Sequence, residues 1–332
     1  MPLIHFKTIS CVLLALGAAA VAHHASPPSL DKRAASSGCG KAHTPGYHYH
    51  DSNGNFSVVS GDVERYYAVQ VPEAYDADHS YALIFDYHGN SDNSTIQYNN
   101  SQYFNYAAAQ QYLIVYPQGY NRSFQGPTYA VPGIDDLQFT TDLLAHIESD
   151  YCIDSDHVYA SGKSNGGGFV DTLACSDHGD SFAAFAMASA ALYTDLNRTA
   201  CNKKRAILES HGDKDTKIPY VGKKSSHGGP LPNVGEWVTW WGERNCGDDA
   251  NADATGDLGG YNMTSYSCGN YENVTQHYHF AQLGHCWPDA QGDNYDAGKL
   301  NSQFCSEVRV VDYTSVVLDF FAKWDLGSAP GN

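Results

Sequence analysis

Between residues 65 and 281 the chain repeats one pattern: a short, near-continuous apolar run, a few turn residues, then apolar residues at helical spacing. The runs cover residues 65–71, 82–87, 112–116, 157–160, 183–187, 206–210 and 277–281. A strand with one wet face alternates polar and apolar residues; several of these runs do not, so they belong to a sheet covered on both faces. Leu137, Phe139, Leu143, Leu144 and Ile147 put one covering helix over residues 136–151, and residues 235–244 and 314–324 read the same way. This alternation predicts an α/β fold, a mostly parallel sheet with helices on both faces. No break in composition and no fixed-period repeat divides it.

The N-terminus reads differently. Residues 1–22 carry Lys7 ahead of an apolar stretch from Ile9 to Ala22, the pattern of a signal peptide. A membrane anchor needs about 20 apolar residues, and this stretch is shorter and stops at His23 and His24. Residues 23–33 end in Lys32-Arg33, a dibasic site for a processing protease, which leaves residues 34–332 as a single secreted, extracellular domain. Losing the leader removes Cys11, so eight of nine cysteines remain, an even set that reads as four disulfides in an oxidising compartment. Cys246 with Cys268 and Cys175 with Cys201 are the pairs that nearness in sequence favours, and no cysteine stands at metal-ligand spacing. Seven N-x-S/T sequons, at Asn55, Asn93, Asn99, Asn121, Asn197, Asn262 and Asn273, place those segments at the surface and point to glycosylation. The net charge of −18 becomes −20 once Lys7, Lys32, Arg33 and Asp31 are gone, which argues against nucleic acid or anionic membranes as partners.

The residues able to carry chemistry stand where predicted strands end. Past residue 160 comes Gly162-Lys163-Ser164-Asn165-Gly166, a G-x-S-x-G between a strand and a helix. A serine at the apex of so tight a turn needs glycine on either side, and the following helix offers free N–H groups to an oxyanion. The hydroxyl is inert without a base, and the base needs a carboxylate. Residues 206–210 run into His211-Gly212-Asp213-Lys214-Asp215, and residues 277–281 into Gln282-Leu283-Gly284-His285. Ser164, Asp215 and His285 thus follow in the order nucleophile, acid, base. Spacing alone does not separate Asp215 from Asp213; Asp215 is preferred, with Asp213 serving the turn. The backbone of Asn165 and of the Gly89-Asn90 loop supplies the expected oxyanion donors. His277 and His279 share a strand face without a third ligand, so they read as part of that face, and His43, His48 and His50 as loop residues. Trp287 is either a stacking platform for substrate or a packing residue that holds the His285 loop.

Those motifs, with Ile218-Pro219-Tyr220 and Gly284-His285-Cys286-Trp287-Pro288, resemble the secreted fungal feruloyl esterases of carbohydrate esterase family 1, relatives of acetyl xylan esterases and polyhydroxybutyrate depolymerases. Asn90, Tyr116-Pro117-Gln118-Gly119 and the run from Pro132 to Asp136 extend the likeness over most of residues 39–324. The resemblance implies an α/β-hydrolase fold, a Ser164–His285–Asp215 triad working through an acyl-enzyme, and hydroxycinnamate esters of plant cell-wall arabinoxylan as substrate. A monomer without cofactor or metal is expected. Acetyl xylan and polyester substrates are the alternatives. A non-catalytic glycan-binding protein fits less well, having no need of all three residues. Many members add a carbohydrate-binding module after a linker; the short tail 327–331 gives no sign of one.

Overall fold

The computed structural model describes residues 36–50, 56–299, 305 and 310–331. The readings of residues 1–33 lie outside them. The strands are β1 (Gly46–Tyr49), β2 (Ser57–Ser60), β3 (Val63–Val71), β4 (Tyr81–Tyr87), β5 (Tyr112–Pro117), β6 (Ile153–Lys163), β7 (Ala184–Ala188), β8 (Ala206–Gly212), β9 (Lys223–Ser226), β10 (Gly229–Leu231), β11 (Asn251–Ala254), β12 (Tyr261–Cys268) and β13 (Tyr271–Phe280). Eleven of them make one sheet in the order β1-β3-β5-β4-β6-β7-β8-β13-β12-β11, with β2 beside β3, and β9 and β10 form a separate hairpin.

The six central strands, from β5 across to β13, run parallel. They contain six of the seven predicted runs. β4, β5, β7 and β8 are buried almost throughout, which is why their sequences do not alternate. The seventh run lies in β3, which pairs antiparallel with β5; apolar content reports burial, not direction. The other antiparallel additions, β1, β2, β11 and β12, are short or only partly buried, carry no continuous apolar run, and gain order from pairing with a neighbour, so the sequence pattern does not predict them.

Helices α1 (Ser94–Ser101), α2 (Asp136–Asp150), α3 (Asn165–Ala174) and α4 (Val234–Cys246) and the last helix, Tyr313–Phe321, flank the sheet. Side chains of Asn93, Asp135, Asn233 and Asp312 cap four of them by accepting an N–H three residues on, each worth about 1 kcal/mol. Trp237, Trp241 and Phe139 are fully buried between helix and sheet, each adding roughly 2–3 kcal/mol by leaving water. All eight cysteines are paired, 39–152, 175–201, 246–268 and 286–305, so both pairs favoured by nearness form. Asn99, Asn121, Asn197 and Asn262 are exposed and Asn93 and Asn273 partly so; Asn55 lies outside the described residues.

Candidate active site

β6 ends at Lys163 and α3 begins at Asn165, so the chain reverses at Ser164 with φ 57° and ψ −120°, backbone that an L-residue adopts only under constraint. The constraint comes from close packing. A Cβ on Gly162 would lie 2.7 Å from the Gly166 carbonyl carbon, and one on Gly166 would lie 2.1 Å from the Tyr87 oxygen. Ser164 N–H donates to Ala188 and its carbonyl accepts from Gly168 and Ala191, which fixes the turn on three sides.

The hydroxyl reaches His285: Oγ and Nε2 are 2.8 Å apart. On the other ring edge, Nδ1–H donates to Asp215 Oδ2 at 2.7 Å. A carboxylate can only accept, so Nδ1 carries the proton and Nε2 is free to take one from the serine. Asp215 is buried, and its second oxygen accepts the backbone N–H groups of Lys217 and Ile218, both at 2.8 Å. Burial works against its charge, yet His285 and His211 hold its carboxyl well below the usual carboxylate range. The expectation for Asp213 is corrected here. Asp215 itself holds the turn, while Asp213 reaches outward to His279 at 2.8 Å.

The Asn165 side chain clasps the Phe124 backbone from both ends, accepting its N–H at 2.8 Å and donating to its carbonyl at 3.0 Å. Its own N–H, in the first helical turn, has no intrahelical acceptor and faces the cleft end of α3. Gly89 lies against Ser164, where a Cβ would be 3.4 Å from that of the serine, and Asn90 lines the same cleft. His88 organises this loop: its Nδ1–H donates to the Gly89 carbonyl while Nε2 accepts from Gly119 N–H. Burial pushes its pKa down to about 4, so the ring stays neutral and keeps that tautomer.

Trp287 does not face substrate. It is 1 % exposed, donates Nε1–H to Thr314 and meets Tyr313 edge-on at 5.2 Å, so a substrate ring has no access to its face and the stacking role is withdrawn. What Trp287 does is anchor. Its backbone N–H donates to Asp296, whose other oxygen takes the buried ammonium of Lys163 at 2.8 Å, joining the serine turn to the histidine loop. Cys286, paired with Cys305, ties down the same loop.

Ser164 and His285 open into a cleft of about 650 Å³. Tyr129, Tyr193 and His227 form an aromatic wall, with Tyr129 edge-on to Tyr193 at 6.1 Å and to His227 at 5.4 Å. Asp92, Lys214 and Lys217 line it as well. Sequence reasoning missed this wall, since its residues come from three separate loops with no periodicity. Among the described residues only Asp171, Cys175 and Asp195 group as metal ligands would, and they do not suit an ion: Cys175 is in a disulfide and Asp195 is paired with Arg244 at 2.6 Å. His277 and His279 are each drawn to a carboxylate, Glu209 and Asp213.

A parallel sheet with a serine on the β6–α3 turn, an acid past the end of β8 and a histidine past the end of β13 defines an α/β-hydrolase, and the chain is a carboxylic-ester hydrolase. No protein-family model matches it. A probable feruloyl esterase C of Aspergillus niger is 30% identical over 215 residues, 63% of this chain and 70% of that protein. Feruloyl esterase C of Emericella nidulans is 29% identical over 215 residues, with the same coverage of 63% and 70%. The chain belongs to this feruloyl esterase family. Among solved structures, an acetyl xylan esterase from Aspergillus awamori matches with 15% identity and a TM-score of 0.48, covering 67% of this chain and 89% of that one.

Proposed function

We propose that the protein hydrolyses hydroxycinnamate esters, feruloyl groups on plant cell-wall polysaccharide foremost, with Ser164 as nucleophile, His285 as general base and acid, and Asp215 as the group that orients His285. The observation that carries this is the unbroken line from Ser164 Oγ through His285 to Asp215 at the mouth of the cleft. His285 Nε2 takes the hydroxyl proton as Oγ bonds to the ester carbonyl carbon. Backbone N–H groups of Asn165 and the Gly89-Asn90 loop receive the oxyanion, and the intermediate collapses as His285 returns the proton to the departing sugar hydroxyl. Water, activated by the same ring, then cleaves the acyl-enzyme and releases the acid.

The aromatic wall supports the acyl assignment, because a planar phenolic acid offers Tyr129 and Tyr193 an edge or a face and an acetyl group offers neither. Four disulfides suit secretion into an oxidising medium. Among the described residues no helix is long and apolar enough to cross a membrane.

Ser164→Ala is expected to lose roughly 10⁴-fold or more in kcat on methyl ferulate and to escape fluorophosphonate labelling. Near-wild-type turnover by the variant refutes the mechanism. A wild-type preference for acetylated xylan or hydroxybutyrate oligomers over feruloyl esters refutes the substrate and leaves the triad standing.

A further inference from the structure

Beside Asp215 Oδ2, the oxygen that meets His285, lies a group of ionisable side chains for which ester cleavage by the triad alone has no use. Glu209 and His211 stand two apart on β8 and share a face; His277 and His279 do the same on β13, directly in register. Glu209, His211 and His277 are essentially inaccessible to water. His211 Nδ1 is 2.9 Å from Glu209 Oε1, and Nε2 is 2.7 Å from the Ile218 carbonyl and 3.4 Å from Asp215 Oδ2. Glu209 Oε2 is 2.8 Å from His277 Nδ1, though poorly aligned for a hydrogen bond, and His277 Nε2 is 3.2 Å from Tyr220 OH.

The protons of His211 follow from its partners. A carbonyl can only accept, so Nε2 carries a hydrogen; an ionised carboxylate can only accept, so Nδ1 carries one too. We infer that His211 is a permanent imidazolium, held as such by Glu209, and is a positioning residue that keeps Asp215 ionised and fixed toward His285. This rests on the triad reading above. Burial opposes charge on both members, but mutual attraction raises the His211 pKa to about 10 and lowers that of Glu209 to about 2, so the pair stays ionised across the working pH range. The other groups facing it are His277, Tyr220, His285 and Tyr313, with Asp213 and His279 at the rim. None places a second cation against Asp215 except His285 itself when protonated. A buried pair of this kind is poor value for stability, since apolar residues of the same volume serve as well or better. Its consequence lies in catalysis: a fixed cation beside Oδ2 keeps Asp215 ionised and aimed at His285, so the triad holds its geometry to lower pH.

Glu209→Gln tests this with almost no change of shape. The amide can donate to Nδ1, and His211 then needs one hydrogen in place of two. The acid limb of kcat/KM on methyl ferulate is expected to move up by about half a unit or more, through kcat and not KM. Glu209→Asp, which restores the charge, should bring it back. Ring ¹⁵N resonances give a reading that does not depend on activity: in the wild-type enzyme one buried histidine should remain doubly protonated from pH 5 to 9, and in Glu209→Gln it should not. A singly protonated His211 in the wild type, or pH profiles that superimpose, overturns the inference. The same spectrum taken on Ser164→Ala separates the two failures, because it reports His211 even if Ser164 proves not to be the nucleophile.

Discussion

The hydrogen bonds of Asp215 predict what Asp215→Asn will do. One carboxylate oxygen accepts two backbone N–H groups, those of Lys217 and Ile218, at 2.8 Å each. An asparagine must keep its carbonyl there, because turning the NH₂ toward two donors would leave them unpaired at about 1–3 kcal/mol each. The NH₂ therefore falls where Oδ2 was, 2.7 Å from His285 Nδ1. That nitrogen now has to accept, so the ring hydrogen moves to Nε2, which can no longer take a proton from Ser164. Reaching the productive tautomer requires the amide flip, a penalty of about 2–6 kcal/mol for the two donors, and the imidazolium formed in the transition state loses its carboxylate as well. Together these come to a loss of ~10³–10⁴ in kcat, or ~4–5.5 kcal/mol. The turn survives, so the melting temperature should change little. Initial rates on methyl ferulate at pH 7, alongside Asp213→Asn as the control for the neighbouring carboxylate, decide it. A loss below about 30-fold for Asp215→Asn, or an equal loss for Asp213→Asn, refutes the tautomer argument.

Tyr193→Ala removes half of the aromatic pair and is expected to cut kcat/KM on methyl ferulate by roughly 10-fold or more while acetate release stays within about 3-fold; equal losses on both would sink the acyl-pocket assignment. Replacing Cys286 and Cys305 by serine frees a 19-residue span next to His285, and urea unfolding should show a loss of about 3 kcal/mol. Asp86 is fully buried in β4, with Oδ1 accepting from Ser161 and Gln97, and burial pushes its pKa up to about 7. Its folded-state proton is held more tightly than in the unfolded chain, so its contribution is present below about pH 4 and is lost as the pH rises toward 7, by up to roughly 4 kcal/mol. Asp86→Asn should erase that slope; a stability difference between variant and wild type that stays constant from pH 4 to 8 would refute it.

The parallel core was legible because most of its strands, β4, β5, β7 and β8 above all, are buried on both faces and say so by lacking alternation. β1, β2, β11 and β12 were not legible: a strand such as Asn251–Ala254 has no buried side chain and nothing apolar larger than alanine, and exists through hydrogen bonds to its neighbour. At the site, Ser164, Asp215 and His285 could be named from motifs because each sits on a short segment whose turn chemistry is local. Tyr129, Tyr193 and His227 meet only through tertiary folding, and the β9–β10 hairpin that brings His227 in carries no strand signal of its own. Trp287 was ambiguous for a physical reason: two residues from His285 in sequence says nothing of which way a side chain turns, and here it turns into the core. Glu209 and His211 were visible as two residues on one face of a strand, but that they pair with each other, and that His277 joins them, follows only from side-chain placement and from the register of β8 with β13.

Cys39 is bonded to Cys152, and Ser36 and Gly38 donate backbone N–H groups to Ile153 and Glu148, so the first described residues are riveted to the end of α2 and the start of β6. Ser164 follows the other end of that same strand, eleven residues on, at roughly 35 Å for extended chain. Anything joined ahead of Ser36, whether an affinity tag, a solid support or a second enzyme, would hold the molecule by its far pole. The cleft that opens on Ser164 would be left turned outward, clear of the point of attachment.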